Sequence, residues 1–161
     1  MINALFAVDC HGGMGYNGTL PWPHNKHDMK IFQDLTTNHV VVMGRNSWDD
    51  PKMPKPLPNR ITYVVSNRHV MNAGRISGNI VDEVKRLEEL HSDKTIWVVG
   101  GPAILEECKE LYDHVHVTFF KNKYRTDTKI MIDRFLRGFS PGMATVAPDF
   151  LSVHVRYDSI F

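Results

Sequence analysis

The feature that most constrains this chain is an alternation of short apolar, β-branched runs with stretches of helical period. Ile2–Val8 reads as a buried strand, Val40–Met43 as a strand covered on both faces, and Ile61–Val65 and Thr95–Val99 as further strands. Between them, Asn25 offers an N-cap for a helix reaching about Leu35, and Ile80, Val84, Leu87 and His91 recur at helical spacing. Arg45 to Asp50 suits a brief helix ahead of the prolines at 51, 54, 56 and 58, and Pro102 a helical first position. Strands alternating with helices predict an α/β fold: a central, mostly parallel sheet flanked by helices. His114 to Phe120 alternates around Val115, Val117 and Phe119, and Leu151, Val153, Val155 and Tyr157 alternate again. These late strands are expected to pair antiparallel, giving the sheet an antiparallel C-terminal strand.

At 161 residues the chain suits one core, so a single domain over 1–161 is expected. A formal charge of +1 supplies no basic field for nucleic acid, so any bound anion needs a local site. The two cysteines, Cys10 and Cys108, are too few for a disulfide framework and suit a reducing compartment. Met1 to Val8 lacks a basic leader and reads as a strand, and no apolar stretch approaches the roughly 20 residues that span a bilayer. A cytoplasmic monomer that touches neither membrane nor nucleic acid is the expectation.

Asp28, Ile31, Phe32 and Leu35 share one helical face, and three of the four are apolar. That face should turn inward and carry a carboxylate with it, which demands a partner. A ligand edge offering two hydrogen bonds would serve. A structural role is also open, because an acid at the third helical position steadies a helix start. His24 and His27 suggest a metal beside Asp28, but their spacing puts only part of the set on one face; no metal is expected.

Three strand-to-helix junctions offer phosphate donors. Val98-Val99-Gly100-Gly101 lets a phosphate approach the backbone; Met43-Gly44-Arg45-Asn46-Ser47 adds a guanidinium and a hydroxyl; Ser66-Asn67-Arg68 follows the next strand. In an open α/β sheet, ligands lie beyond the carboxyl ends of the strands, where these junctions fall.

Taken with Ala7-Val8-Asp9, Gly15, Leu20-Pro21-Trp22, Asp28 with Phe32, Met43-Gly44-Arg45 with Trp48, Pro56-Leu57-Pro58-Asn59-Arg60, Val99-Gly100-Gly101, Thr118 and Asp127-Thr128, the chain resembles the dihydrofolate reductase family over nearly its whole length. The resemblance implies NADPH-dependent reduction of 7,8-dihydrofolate, with dihydrofolate and antifolate-type molecules as ligands. It implies that Asp28 clamps the amino-pyrimidine edge of the pterin and helps deliver a proton to N5. Thr118 supports that carboxylate, and Leu20 and Trp22 complete the catalytic set. Ala7, Met29, Phe32 and Leu57 would wall the substrate pocket, and Arg60 would pair with the α-carboxylate of the glutamate tail.

On the cofactor side it implies Ala7 with Met14, Gly15 and Leu20 of a closing loop. Gly44, Arg45, Asn46, Ser47, Ser66, Asn67 and Arg68 would serve the phosphates. Val99, Gly100, Gly101, Pro102, Ala103, Ile104, Asp127 and Thr128 complete the set, with Gly100-Gly101 as a cis peptide. Pro102 stands where many members carry a third glycine, and Asn67 where Ser, Thr or Arg usually meets the 2′-phosphate. A reductase of another heterocycle and a non-catalytic folate- or nucleotide-binding protein are the alternatives; the pairing of Asp28 with Arg60 and with Thr118 speaks against them.

Overall fold

The computed structural model describes residues 1–52 and 57–161. Strand β1 (Ile2–Val8) runs into a short β2 (Gly13–Gly15), and helix α1 (Lys26–Thr36) follows. Strand β3 (Val40–Gly44), helix α2 (Arg45–Asp49), β4 (Ile61–Val65) and β5 (Gly74–Ile76) come next. Helix α3 (Ile80–Leu90), β6 (Ile96–Val98) and α4 (Pro102–Glu107) lead to β7 (His114–Phe120). The chain closes with β8 (Thr128–Lys129), α5 (Ile132–Phe135), β9 (Phe139–Val146) and β10 (Ser152–Ser159).

One sheet of eight strands organises the molecule, in the order β5-β4-β3-β6-β1-β7-β10-β9. The six strands from β5 to β7 are mutually parallel, and β10 lies antiparallel to β7. The architecture is the α/β sheet with an antiparallel C-terminal strand that the alternation predicts. Strand β9 escapes the sequence reading for a physical reason. Pro141 and Gly142 interrupt its β pattern, it sits at an exposed edge, and its register with β10 slips between Val155 and Tyr157.

The central strands are buried on both faces. Val40, Val41 and Val42 are fully inaccessible, as are Val98, Val115 and Val117. On one side Ile80, Val84 and Leu87 of α3 close over the sheet, and burial of each side chain contributes roughly 1.5–3 kcal/mol. On the other side α1 buries only Thr36, so it covers the sheet loosely and leaves openings along its length. The prolines at 54 and 56 lie outside the described residues.

Candidate active site

Strands β4, β3, β6 and β1 are neighbours and parallel, so their carboxyl ends meet along one rim. A cleft of about 1580 Å³ opens there and continues between α1 and the loop after β1. That is roughly twice what one drug-sized ligand needs. The volume suits two ligands side by side.

At the substrate end, Asn25 caps α1 by accepting a hydrogen bond from the Asp28 backbone N–H at 3.0 Å. This fixes Asp28 in the first turn with its carboxyl on the cleft wall. Burial raises its pKa above the ordinary carboxylate value, while a hydrogen bond from Thr118 opposes the rise. Thr118 lies on β7 behind the acid, 1% exposed, and does not itself line the cleft. Ala7, Met29, Phe32 and Leu57 form apolar walls. The face through Asp28, Ile31, Phe32 and Leu35 does not enter the core: all four side chains are half-buried. Asp28 and Phe32 border the cleft, whereas Ile31 and Leu35 border a smaller side cavity. Helical period tells which residues share a face; it does not tell whether that face meets a sheet or a hollow.

Arg60 is held at the rim. Its Nε donates to the Pro58 carbonyl at 3.0 Å, one terminal nitrogen donates to Thr36 Oγ1 at 3.2 Å, and the guanidinium lies 5.8 Å from the Phe32 ring centroid. Partial burial lowers its pKa, and it stays cationic across the physiological range. The rest of the fork has no protein partner among the described residues and lies on the cleft wall. An arginine so braced is ready for a carboxylate.

At the cofactor end, Gly44 N–H donates to Gly100 O at 2.7 Å, tying the β3 and β6 junctions together. The Gly100–Gly101 peptide is cis. A Cβ on Gly44 would come 2.7 Å from Ile104 Cδ1, whereas one on Gly101 would meet nothing within 4 Å. A side chain at Gly44 would have to displace the tip of Ile104, while Gly101 leaves the backbone open to a ligand. Arg45 is clasped by Asp49 at 3.1 Å and donates to Ser66 Oγ at 3.4 Å and His69 O at 3.2 Å. Ser66 Oγ also accepts the Arg68 N–H at 3.1 Å, which braces the turn after β4, while the Arg45–Ser66 contact links the β3 and β4 junctions. Glycine backbone, a guanidinium and hydroxyls on adjoining junctions are the donor set that a phosphate-bearing dinucleotide needs, and these residues fit NADPH.

Arg45, Asn46, Ser47, Val99, Gly101, Pro102, Ala103 and Ile104 border the cleft, whereas Ser66, Asn67, Arg68 and Gly100 do not: Ser66 and Gly100 are buried, and Asn67 and Arg68 are exposed to solvent. From the loop side come Met14, Gly15 and Leu20, with Asp127 and Thr128 opposite. The loop is clipped down: Asn17 N–H donates to Asp127 Oδ2 at 3.0 Å, and Thr19 Oγ1 donates to Asp50 Oδ1 at 3.0 Å. At its base, Asp9 accepts from the backbone N–H groups of His11, Gly13 and Tyr124. Burial works against that carboxylate's charge, but these three donors hold its pKa below the ordinary value. Trp22 does not line the cleft. It is 3% exposed and stacks on Phe120 with centroids 4.4 Å apart, anchoring the end of the loop.

The sequence reading misses Leu5, Thr19, Lys30 and Asp50, which also border the cleft. Nothing in their type or spacing distinguishes them; only the fold brings them to the rim. Among the described residues no group of three or more His, Cys, Asp or Glu side chains could hold a metal.

Fold and cleft together define an α/β protein whose strand ends present phosphate donors at one end and a shielded acid at the other. The family model for dihydrofolate reductase matches residues 1–134. Rat dihydrofolate reductase is 32% identical over 143 residues, covering 79% of this chain and 76% of that protein. The viral dihydrofolate reductase of Saimiriine herpesvirus 2 (strain 488) is 30% identical over 145 residues, covering 80% and 67%. A dihydrofolate reductase from Enterococcus faecalis, solved with NADP(H) and RAB-propyl, superposes with a TM-score of 0.81 at 21% identity, covering 100% of this chain and 97% of that one. This chain belongs to the dihydrofolate reductase family, and thus to the NADPH-dependent oxidoreductases.

Proposed function

We propose that the cleft reduces 7,8-dihydrofolate to 5,6,7,8-tetrahydrofolate, with Asp28 as its acid. The observation that carries this reading is a single carboxyl with a raised pKa, shielded in the cleft wall and backed by the Thr118 hydroxyl. When bound, NADPH supplies the hydride for pterin C6. Asp28 orients the pterin through its amino-pyrimidine edge and holds the proton destined for N5, directly or through a water. A raised pKa keeps that proton available nearer neutrality than an ordinary carboxylate could.

Phe32, Leu57 and Ala7 exclude water from the pterin, and Met29 borders the tail beyond it. Arg60 pairs with the glutamate α-carboxylate. Gly44, Arg45, Asn46, Ser47, Ser66 and Arg68 hold the cofactor phosphates, with Asn67 beside them. Gly100, Gly101, Pro102, Ala103, Ile104 and Val99 support its nicotinamide half from β6. Met14, Gly15 and Leu20, steadied by Asp127 and Thr128, close the loop over it, and Trp22 keeps that loop in place. Closure aligns donor and acceptor, which is most of what the protein adds to hydride transfer.

The chain acts as a cytoplasmic monomer, with antifolate-type molecules as competing ligands. Two free thiols and a near-neutral charge suit that setting, and among the described residues no helix is long and apolar enough to cross a membrane. The test follows the near-ultraviolet band of reduced nicotinamide with and without dihydrofolate, in the wild type and in Asp28→Asn. Substrate-dependent loss that the variant abolishes is the expected result. A folded wild type that binds both ligands without turnover would leave only a binding role.

A further inference from the structure

Behind the acid, strands β7 and β10 carry a second group of ionisable side chains that the reaction above leaves unused. The antiparallel register sets Thr118 opposite His154, His116 opposite Arg156 and His114 opposite Asp158, so all six side chains share one face of the sheet. Thr118 Oγ1 lies 3.2 Å from His154 Nδ1, and His154 Nε2 lies 3.0 Å from His116 Nδ1. Thr118 also stands beside Asp28 and opposes the rise of its pKa, so Thr118, His154 and His116 line up behind the acid. His116 Nε2 has no protein partner among the described residues. His116 and His154 both border a side cavity of about 260 Å³ under Ile31 and Leu35 of α1; neither histidine borders the main cleft, which meets this cavity only at Asp34.

We propose that His154 and His116 form a proton relay that recharges Asp28 through Thr118 from the side cavity. The inference rests on the reading of Asp28 as the reaction's acid. Donor and acceptor rules fix the resting polarity of the chain. An ionised Asp28 must accept, so Thr118 donates to it. The Thr118 oxygen then accepts from His154 Nδ1–H, and His154 Nε2 accepts from His116 Nδ1–H.

A solvent proton arriving at His116 Nε2 forms a new N–H bond there. His116 passes its Nδ1 proton to His154 Nε2, His154 passes its Nδ1 proton to Thr118, and Thr118 passes its own to Asp28. One proton enters, one reaches the carboxylate, and every relay group ends neutral with its hydrogen bonds reversed. Each turnover needs one such proton, and this route stays open when ligands fill the cleft.

The surroundings keep the relay neutral at rest. Burial lowers both imidazole pKa values, His116 to about 4, and His114 and Arg156 push the latter further the same way. Asp158 opposes them, but it is engaged by His114 at 2.7 Å and by Arg156 at 3.0 Å. From α1, Asp34 borders the same cavity, and from β9 come the uncharged Met143 and Thr145. Trp97 of β6 meets the His116 ring edge-on at 5.2 Å. Neutral rings with two distinct nitrogens are what a relay requires.

The test compares single-turnover NADPH oxidation across pH in the wild type, His154→Gln and His116→Gln. Glutamine keeps a donor and an acceptor but cannot pass a proton from one end to the other. At acid pH, where Asp28 is already protonated, the variants should match the wild type. At alkaline pH they should fall by on the order of tenfold, with KM for dihydrofolate unchanged. Superimposable pH profiles would overturn the relay, and so would an equal loss at every pH, which marks a structural role. Nitrogen NMR of the histidine rings in the wild-type protein gives a readout that needs no activity. Both rings should carry their proton on Nδ1 at neutral pH and shift it to Nε2 as Asp28 protonates. Rings that keep one tautomer through that titration would also overturn the proposal, whereas inactivity toward dihydrofolate with the tautomer shift intact would count against the functional reading alone.

Discussion

Helices α1 and α3 are both 11 residues long and both begin with asparagine followed three positions later by aspartate. Asn25 accepts from Asp28 N–H at 3.0 Å, and Asn79 accepts from Asp82 N–H at 3.1 Å. Locally the two starts are the same device. Beyond that they diverge. Helix α3 sends Ile80, Val84 and Leu87 into an aliphatic core and leaves Asp82 in solvent. Helix α1 buries only Thr36, and its acid faces a cleft with Thr118 behind it. A capping acid therefore becomes a functional acid through what stands across from it. The contrast also separates two kinds of packing, one that holds the fold and one that shapes hollows.

The sharpest way to break this comparison is to treat the two aspartates alike. Asp28→Asn should lower turnover at neutral pH by on the order of 10²-fold or more while leaving NADPH affinity unchanged. Asp82→Asn should leave turnover as it was. Steady-state kinetics with a separate NADPH titration checks both. Equal loss of turnover and cofactor affinity in Asp28→Asn would remove the acid from its role.

The next largest effect falls on α3. Leu87 is fully buried against the sheet, so Leu87→Ala should cost about 3–4 kcal/mol of stability in urea unfolding. Activity per folded molecule should not change. Leu35→Ala on α1, where the side chain is half-buried beside the side cavity, should cost about 1 kcal/mol or less. Costs of similar size would mean that α1 is as much a core helix as α3.

The two packing faces also differ in their response to acid. Under α1, His116 has its pKa lowered from 6.5 to about 4. The unfolded chain therefore binds a proton that the folded chain refuses, and stability falls as pH drops from about 6.5 toward 4. The loss approaches about 3 kcal/mol at the lower limit, and His154 acts in the same direction. Asp9, with its folded pKa lowered, adds a further loss at more acid pH, where its carboxyl binds a proton in the unfolded chain but still refuses one in the folded protein. Urea unfolding at a series of pH values should show the slope in the wild type and a flatter one in His116→Leu. An unchanged slope would mean that the cause lies elsewhere.

These contrasts mark where sequence reading succeeds and where it stops. Valine runs such as Val40–Met43 and the N-cap at Asn25 are local signals, and the strands and α1 appear where those signals predict. The glycine and arginine junctions are local as well, and the parallel sheet brings them to one rim because parallel strands end together. The histidine pair depends on something the sequence leaves open. His116 and His154 meet only because β7 and β10 pair in one register, and a slip of one residue would turn His154 to the other face. Likewise the stacking of Trp22 on Phe120 is set by tertiary packing that the Leu-Pro-Trp segment does not announce.

The smallest predicted effect is also the one that separates the helices most finely. Asn25→Ala and Asn79→Ala each remove one capping acceptor, so each should cost about 1 kcal/mol of stability. The N–H that loses its partner is that of Asp28 in one case and of Asp82 in the other. Loosening the first turn of α3 disturbs the exposed Asp82 and the core side chain of Ile80, neither of which borders the cleft. Loosening the first turn of α1 moves the carboxyl that must meet the pterin edge, and misplacement of a reacting group by a fraction of an ångström lowers rate more than stability. Asn25→Ala should therefore reduce kcat by several-fold at pH 7 in protein that remains fully folded, whereas Asn79→Ala should not. Parallel unfolding and kinetic measurements decide it. If both variants lose the same stability and neither loses rate, the cap serves the helix alone and Asp28 is held in place from the Thr118 side.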